Sequence, residues 1–215
     1  MNATVHRLAV QFDDAVQQRE ASTLGMWAFL ATEVLFFGVL FAGYAFCRVM
    51  FPEAFAEASR HTDMLLGTLE TAVLLTSSCA AALAVREVQL GGLRVATWLL
   101  LATAALGIAF LVMHGFEYVA EYREGLIPGI RYTQHGPHAA TMQLFFCLYY
   151  FITGFHSLHV LVGVGLLLAM AWRTHRGAFD QDYHTPMELT ALYWHLVDIV
   201  WIFVYPLIYL IGRAG

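Results

Sequence analysis

Five stretches of this sequence, about residues 22–48, 63–86, 94–117, 138–172 and 187–212, are long and apolar enough to cross a bilayer. A hydrocarbon core about 30 Å thick takes about 20 residues of helix. Inside it the backbone must satisfy its own hydrogen bonds, so runs of this kind fold as helices. The fourth run exceeds what a span needs: at about 1.5 Å per residue it reaches about 50 Å, so it must tilt or protrude. Short punctuated loops join the runs. They are Phe51-Pro52 with the acidic "EAFAEASRHTD", the Gly91-Gly92 turn, "REGLIPGIRYTQHGPH", and "RTHRGAFDQDYHTP", which ends on a proline suited to a first helical turn. The expected fold class is all-α: a polytopic membrane protein built as one five-transmembrane-helix bundle, residues 1–215 forming a single membrane domain.

Composition agrees. Of the 215 residues 60% are hydrophobic and 13% charged, against about 25% charged in soluble domains. A net charge of −5 gives no reason to expect nucleic acid, and the eleven cations are all arginine. The opening "MNATVHRLAVQFDDAVQQREAS" lacks the basic start and apolar middle of a signal peptide, so the mature chain is expected to begin there. Arg7, Arg19, Arg86, Arg94, Arg173 and Arg176 fall on one side; Arg48, Arg60, Arg123, Arg131 and Arg213 fall on the other. That slight excess points to a cytoplasmic N-terminus as the expected orientation. Cys47, Cys79 and Cys147 are scattered and form no CxxC or CxxCH, which argues against a thiolate metal cluster and against covalent c-type heme.

Ionisable residues inside the spans are the informative ones, since each costs about 2.5–3.5 kcal/mol at mid-bilayer. Glu33 sits in "LATEVLFFGVLF", flanked by Phe36 and Phe37, with Thr32 its adjacent polar neighbour. Glu70 lies in "GTLETAVLL"; His114 and Glu117 close the third span. For Glu70 and His114 the expected role is a hydrogen bond to a neighbouring helix. In "TGFHSLHVLVG", His156 and His159 are three apart and share one helix face. In the last span His195 and Asp198, also three apart, are placed to bond directly, while Trp194, Asp198 and Trp201 line one stripe expected to lock that helix to the bundle. A b-type heme could be held by facing histidines such as His159 and His195. A di-iron site would want about eight histidine or carboxylate ligands near the aqueous ends, whereas only four histidines lie in the spans, and the broken helices of a transporter are not visible. Residue chemistry alone leaves a heme protein, a proton-handling subunit and a structural subunit open.

"TGFHSLHVLVG" together with "YWHLVDIVWIFVYPLIYLIG" resembles subunit III of the heme–copper terminal oxidases, the cytochrome c oxidase subunit III family. "LATEVLFFGVLFAGY", "LETAVLLTSS" and "GFEY" extend the likeness in order, over about residues 22–212. It implies the short five-helix bacterial form, in the bacterial cytoplasmic membrane, with no heme, copper or other metal of its own. Such a chain packs beside catalytic subunit I and subunit II, supports proton uptake, protects the catalytic centre during turnover, and binds phospholipid. The resemblance carries a carbodiimide-reactive acid onto Glu33 and a Glu-Tyr pair onto Glu117 and Tyr118. It makes His156 and His159 hydrogen-bonding residues between helices or at an interface, with Gly154 and Gly163 allowing close approach. Trp194, His195, Asp198 and Trp201 form its last motif. Arg173, Arg176, His184 and Glu188 correspond to a basic stretch before the last helix.

The chain also departs from the family. His114 stands where a Gln is expected, the 119–141 loop does not match, and two N-terminal helices of the longer members are missing. Related possibilities are subunit III of a ubiquinol oxidase and a nitric oxide reductase-associated homologue; Glu rather than Asp at position 33 favours the cytochrome c branch. The rival of another class is a self-contained membrane b-type cytochrome using His156, His159 and His195.

Overall fold

The computed structural model describes residues 9–180 and 183–210. Arg7, Arg213 and the expected end of the last span at 212 lie outside them. The chain divides into two units, Met1–Phe36 and Phe37–Gly215. Helix α1, Ala15–Met50, begins in the first and continues into the second. Its start is fixed locally, because Asp14 Oδ1 accepts from the Gln17 backbone N–H at 2.8 Å. Within the first unit Leu24, Trp27, Val34 and Leu35 are exposed apolar side chains, as lipid-facing residues must be.

The second unit continues with α2 (Pro52–Ser59), α3 (Met64–Gln89), α4 (Leu93–Glu124), a hairpin of β1 (Leu126–Ile127) and β2 (Arg131–Tyr132), α5 (Ala139–His175) and α6 (Thr185–Tyr205). Asp63 caps α3 by accepting from Leu65 N and Leu66 N at 2.9 and 3.1 Å. Gly91, at φ 83°, makes the tight turn that sets α3 and α4 antiparallel. Pro52 opens α2 and Pro186 lies in the first turn of α6, where a missing N–H costs nothing. Five helices, α1, α3, α4, α5 and α6 with its extension to Leu210, have the length and apolarity to span a membrane.

Three details differ from the sequence expectation. The segment after Pro52, read as a loop, is helical, and it buries Phe55 against Tyr44 and Phe145. Helix α4 runs on past 117 to Glu124, because Glu117 and Glu121 turn inward to hydroxyl partners instead of ending it. Within the 119–141 loop, β1 and β2 pair Leu126 with Tyr132 and Ile127 with Arg131. Gly129 turns that hairpin at φ 73°. Tyr132 donates to Ala139 O at 2.8 Å. Burial, and then the charge of Glu57, raise its phenol above the ordinary value, so it stays a donor.

At the end of α6 Pro206 cannot donate to the helix ladder, and the backbone widens into a π-helical turn over Pro206–Leu210. The Tyr44 hydroxyl donates to Leu207 O at 2.7 Å, tying this turn to α1.

Candidate functional site: a polar seam and a buried cluster

Helices α3 and α6 meet along a row of hydrogen bonds in antiparallel order. Thr68 pairs with the Tyr205 hydroxyl at 2.6 Å, and the Trp201 Nε1–H donates to Thr71 Oγ1 at 3.1 Å. Higher up, the Trp194 Nε1–H donates to Ser77 Oγ at 3.0 Å, and Ser78 Oγ meets His195 Nδ1 at 2.6 Å. Gln89 donates to Glu188 Oε1 at 3.0 Å beyond them. The first four bonds each join a long side chain on α6 to a short hydroxyl on α3, which lets the helices pack closely with these donors satisfied. Trp194 and Trp201 are fully buried. The indole of Trp194 lies so close to Gly163 of α5 and Gly107 of α4 that a Cβ on either would stand 2.7 or 2.6 Å from it.

Sequence spacing set His195 against Asp198; the structure does not. The imidazole turns to Ser78, and both Asp198 oxygens are buried without a hydrogen-bond partner among the described residues. A partner on a facing helix, already within bonding distance, replaces the three-residue neighbour.

His156 and His159 likewise diverge. His156 is fully buried, with Phe110 edge-on at 5.4 Å and Trp201 at 4.9 Å between centroids. Neither of its nitrogens has a hydrogen-bond partner among the described residues, contrary to the expected role between helices. His159 is half-buried. Its Nδ1 lies 2.7 Å from Phe155 O in its own helix, and its ring packs on Phe37 and Tyr193. Gly163 does allow close approach, whereas a Cβ on Gly154 would meet only the Tyr118 hydroxyl, at 3.8 Å.

The densest polar group lies where α3 begins and α4 ends. Glu70, His114 and Glu117 are all buried; His114 Nδ1 stands 3.5 Å from Glu70 Oε1 and 3.4 Å from Glu117 Oε2. The Tyr209 hydroxyl donates to Glu117 Oε2 at 2.7 Å. One turn on, Tyr150 donates to Glu121 Oε2 at 2.7 Å, and Tyr118 shares a 2.6 Å bond with Thr153. Phe110 stacks on the His114 ring at 5.7 Å and Trp201 meets it edge-on at 5.6 Å. The sequence had singled out Glu70, Glu117 and Tyr118 but missed Glu121 and Tyr209. Glu121 follows Glu117 by one helical turn, which was the available signal; Tyr209 reaches the cluster only through the π-helical turn.

At the opposite end His184 Nε2 and Glu188 Oε1 are 3.1 Å apart. Arg173 and Arg176 do not join them. Their guanidinium groups lie over Phe179 at 5.1 Å and Trp172 at 4.2 Å. Beside Trp172 an outward groove of about 650 Å³ opens between α4 and α5, with Trp98, Leu101 and Leu168 on its walls and Arg94 and His175 among its lining. In the first unit Glu33 is half-buried, and its neighbour Thr32 donates to Phe29 O at 2.6 Å instead.

Comparison with known proteins places this architecture. The family model for cytochrome c oxidase subunit III matches residues 7–213. Cytochrome c oxidase subunit 3 of Thermostichus vulcanus is 32% identical over 209 residues, covering 95% of this chain and 94% of that protein. Cytochrome bo(3) ubiquinol oxidase subunit 3 of Pseudomonas aeruginosa is also 32% identical, over 211 residues, covering 98% and 94%. Cytochrome c oxidase subunit 3 of Lycodon semicarinatus is 32% identical over 191 residues, covering 86% of this chain and 67% of that protein. With matches running along nearly its whole length, the chain belongs to the cytochrome c oxidase subunit III family and is a subunit III of a heme–copper oxidase.

Proposed function

We propose that this chain is the non-catalytic subunit of a bacterial cytochrome c oxidase-type complex, packed beside subunits I and II, whose heme and copper do the oxygen chemistry. The observation that carries this is the fate of the three histidines weighed as heme ligands. His156 is enclosed by aromatic rings, His159 is engaged with Phe155 O, and His195 with Ser78. They are committed to three different surroundings, which supports a structural part for them and speaks against a self-contained b-type cytochrome. The role is to hold the catalytic subunit, support its proton uptake and extend its lifetime in turnover. Glu33 is the carbodiimide-reactive acid of this reading. The N-terminus is cytoplasmic.

In this role the chain also holds a phospholipid. The groove between α4 and α5 suits one: its walls are apolar and aromatic, and Arg94 and His175 stand where an anionic headgroup would be met. Oxidase purified without this chain tests the proposal. It should keep its full heme and copper content and its initial oxygen consumption, but lose activity sooner during turnover. Loss of a heme or copper with this chain would contradict it.

A further inference from the structure

From spacing and resemblance, no metal is expected in this chain. Yet Glu70 of α3 and His114 and Glu117 of α4 each offer one ligand atom within 4.8 Å of the others, and all three are buried. Buried polar groups are ordinarily hydrogen-bonded, but neither Glu70 oxygen and neither His114 nitrogen has such a partner among the described residues. The separations of His114 Nδ1 from Glu70 Oε1 and Glu117 Oε2, 3.5 and 3.4 Å, are long for an N–H···O bond, which centres near 2.9–3.0 Å. They suit another arrangement. Donor atoms bound at about 2.0–2.1 Å to a tetrahedral cation stand about 3.3–3.4 Å apart.

Charge points the same way. Two carboxylates around one imidazole are expensive in a low-dielectric interior, whereas two carboxylates around a dication are neutral. One imidazole nitrogen with two carboxylate oxygens is a donor set for zinc, a borderline cation that takes N and O ligands readily. The local structure is also that of a bundle metal site: a His and a Glu three apart on one helix, facing a Glu on the next. Tyr209, donating to Glu117 Oε2 at 2.7 Å, is the outer partner that would hold that carboxylate in place.

We propose that Glu70, His114 and Glu117 form a redox-inert divalent-cation site of the Zn2+ type, which fastens the start of α3 to the end of α4.

The test uses the tagged chain purified in mild detergent with whatever partners accompany it. The preparation is treated with a chelator, loaded with Zn2+ and desalted. Elemental analysis of the wild type is set against His114→Gln and Glu70→Gln, and zinc-edge X-ray absorption is recorded on the wild type. The expected result is about one retained Zn2+ per chain, with one nitrogen and otherwise oxygen neighbours at about 2.0–2.2 Å, falling at least tenfold in both variants. Heme and copper content should be the same in all three, which separates this site from the partner's centres. A wild type that retains no Zn2+ overturns the proposal, whether or not the variants assemble. So does a zinc content unaltered by the substitutions.

Discussion

Two glycines decide how close Trp194 comes to the helices around it. A methyl group at Gly163 or Gly107 would stand 2.7 or 2.6 Å from the indole, with packed helices on every side. Gly163→Ala is therefore expected to cost about 1–3 kcal/mol, the usual range for overpacking a core. Gly154→Ala, with only the Tyr118 hydroxyl at 3.8 Å, should stay within about 0.5 kcal/mol. Thermal unfolding of the two variants in the same detergent checks both, and equal losses would refute this packing. The sequence flagged the two glycines alike, because flanking a motif says nothing of what lies opposite. The histidine pair shows the same limit. Helical spacing puts His156 and His159 on one face, but the neighbours that enclose one and leave the other half-buried belong to α1, α4 and α6. Ser78→Ala should disturb the His195 tautomer more than Asp198→Ala does, since the ring meets the Ser78 hydroxyl directly. Nitrogen-edited NMR of the labelled imidazole distinguishes them.

Among the elements, the α3–α6 seam is the feature that residue types alone nearly disclose. Trp194 and Trp201 were legible as one stripe of α6, and "LETAVLLTSS" as part of the likeness. The matching hydroxyls Thr68, Thr71, Ser77 and Ser78 were not, because short hydroxyl side chains in a span most often bond back to their own helix. Thr71, for one, does both: it donates to Gly67 O at 2.7 Å and accepts from Trp201. Hydrogen bonds between membrane helices average about 0.6 kcal/mol with a maximum near 1.7. A double-mutant cycle on Ser77→Ala and Trp194→Phe is expected to give a coupling of about that size, read from unfolding free energies. Coupling indistinguishable from zero would mean the bond does not join the helices. The number and order of the spans were legible too. The extension of α4 to Glu124 was not, since polar residues ordinarily end an apolar run, and only the hydroxyls of Tyr150 and Tyr209 let Glu121 and Glu117 continue it.

For the whole molecule, the outer surface decides what surrounds it. Trp98, Val112, Phe116, Phe151 and Trp172 are all exposed, a face that only lipid or another membrane chain can cover. Within that face the groove between α4 and α5 combines apolar walls with Arg94 and His175. The paired substitution Arg94→Gln and His175→Gln should lower the anionic phospholipid retained through purification at least severalfold, as measured by mass spectrometry of extracted lipid, with assembly intact. Likewise Glu33→Gln should abolish labelling by a hydrophobic carbodiimide at this chain; undiminished labelling would move the reactive acid elsewhere.

Family and general architecture were readable because span length and the two long motifs are carried by the chain itself. Whether this chain bears a heme of its own depends instead on where three histidines end up, and that is the point to measure. The chain should be tagged, purified with its partners from native membranes, then dissociated and its optical spectrum recorded. A much larger heme- and copper-bearing chain should co-purify, and the separated polypeptide should show no Soret band. A stoichiometric Soret band that stays with this polypeptide would contradict this.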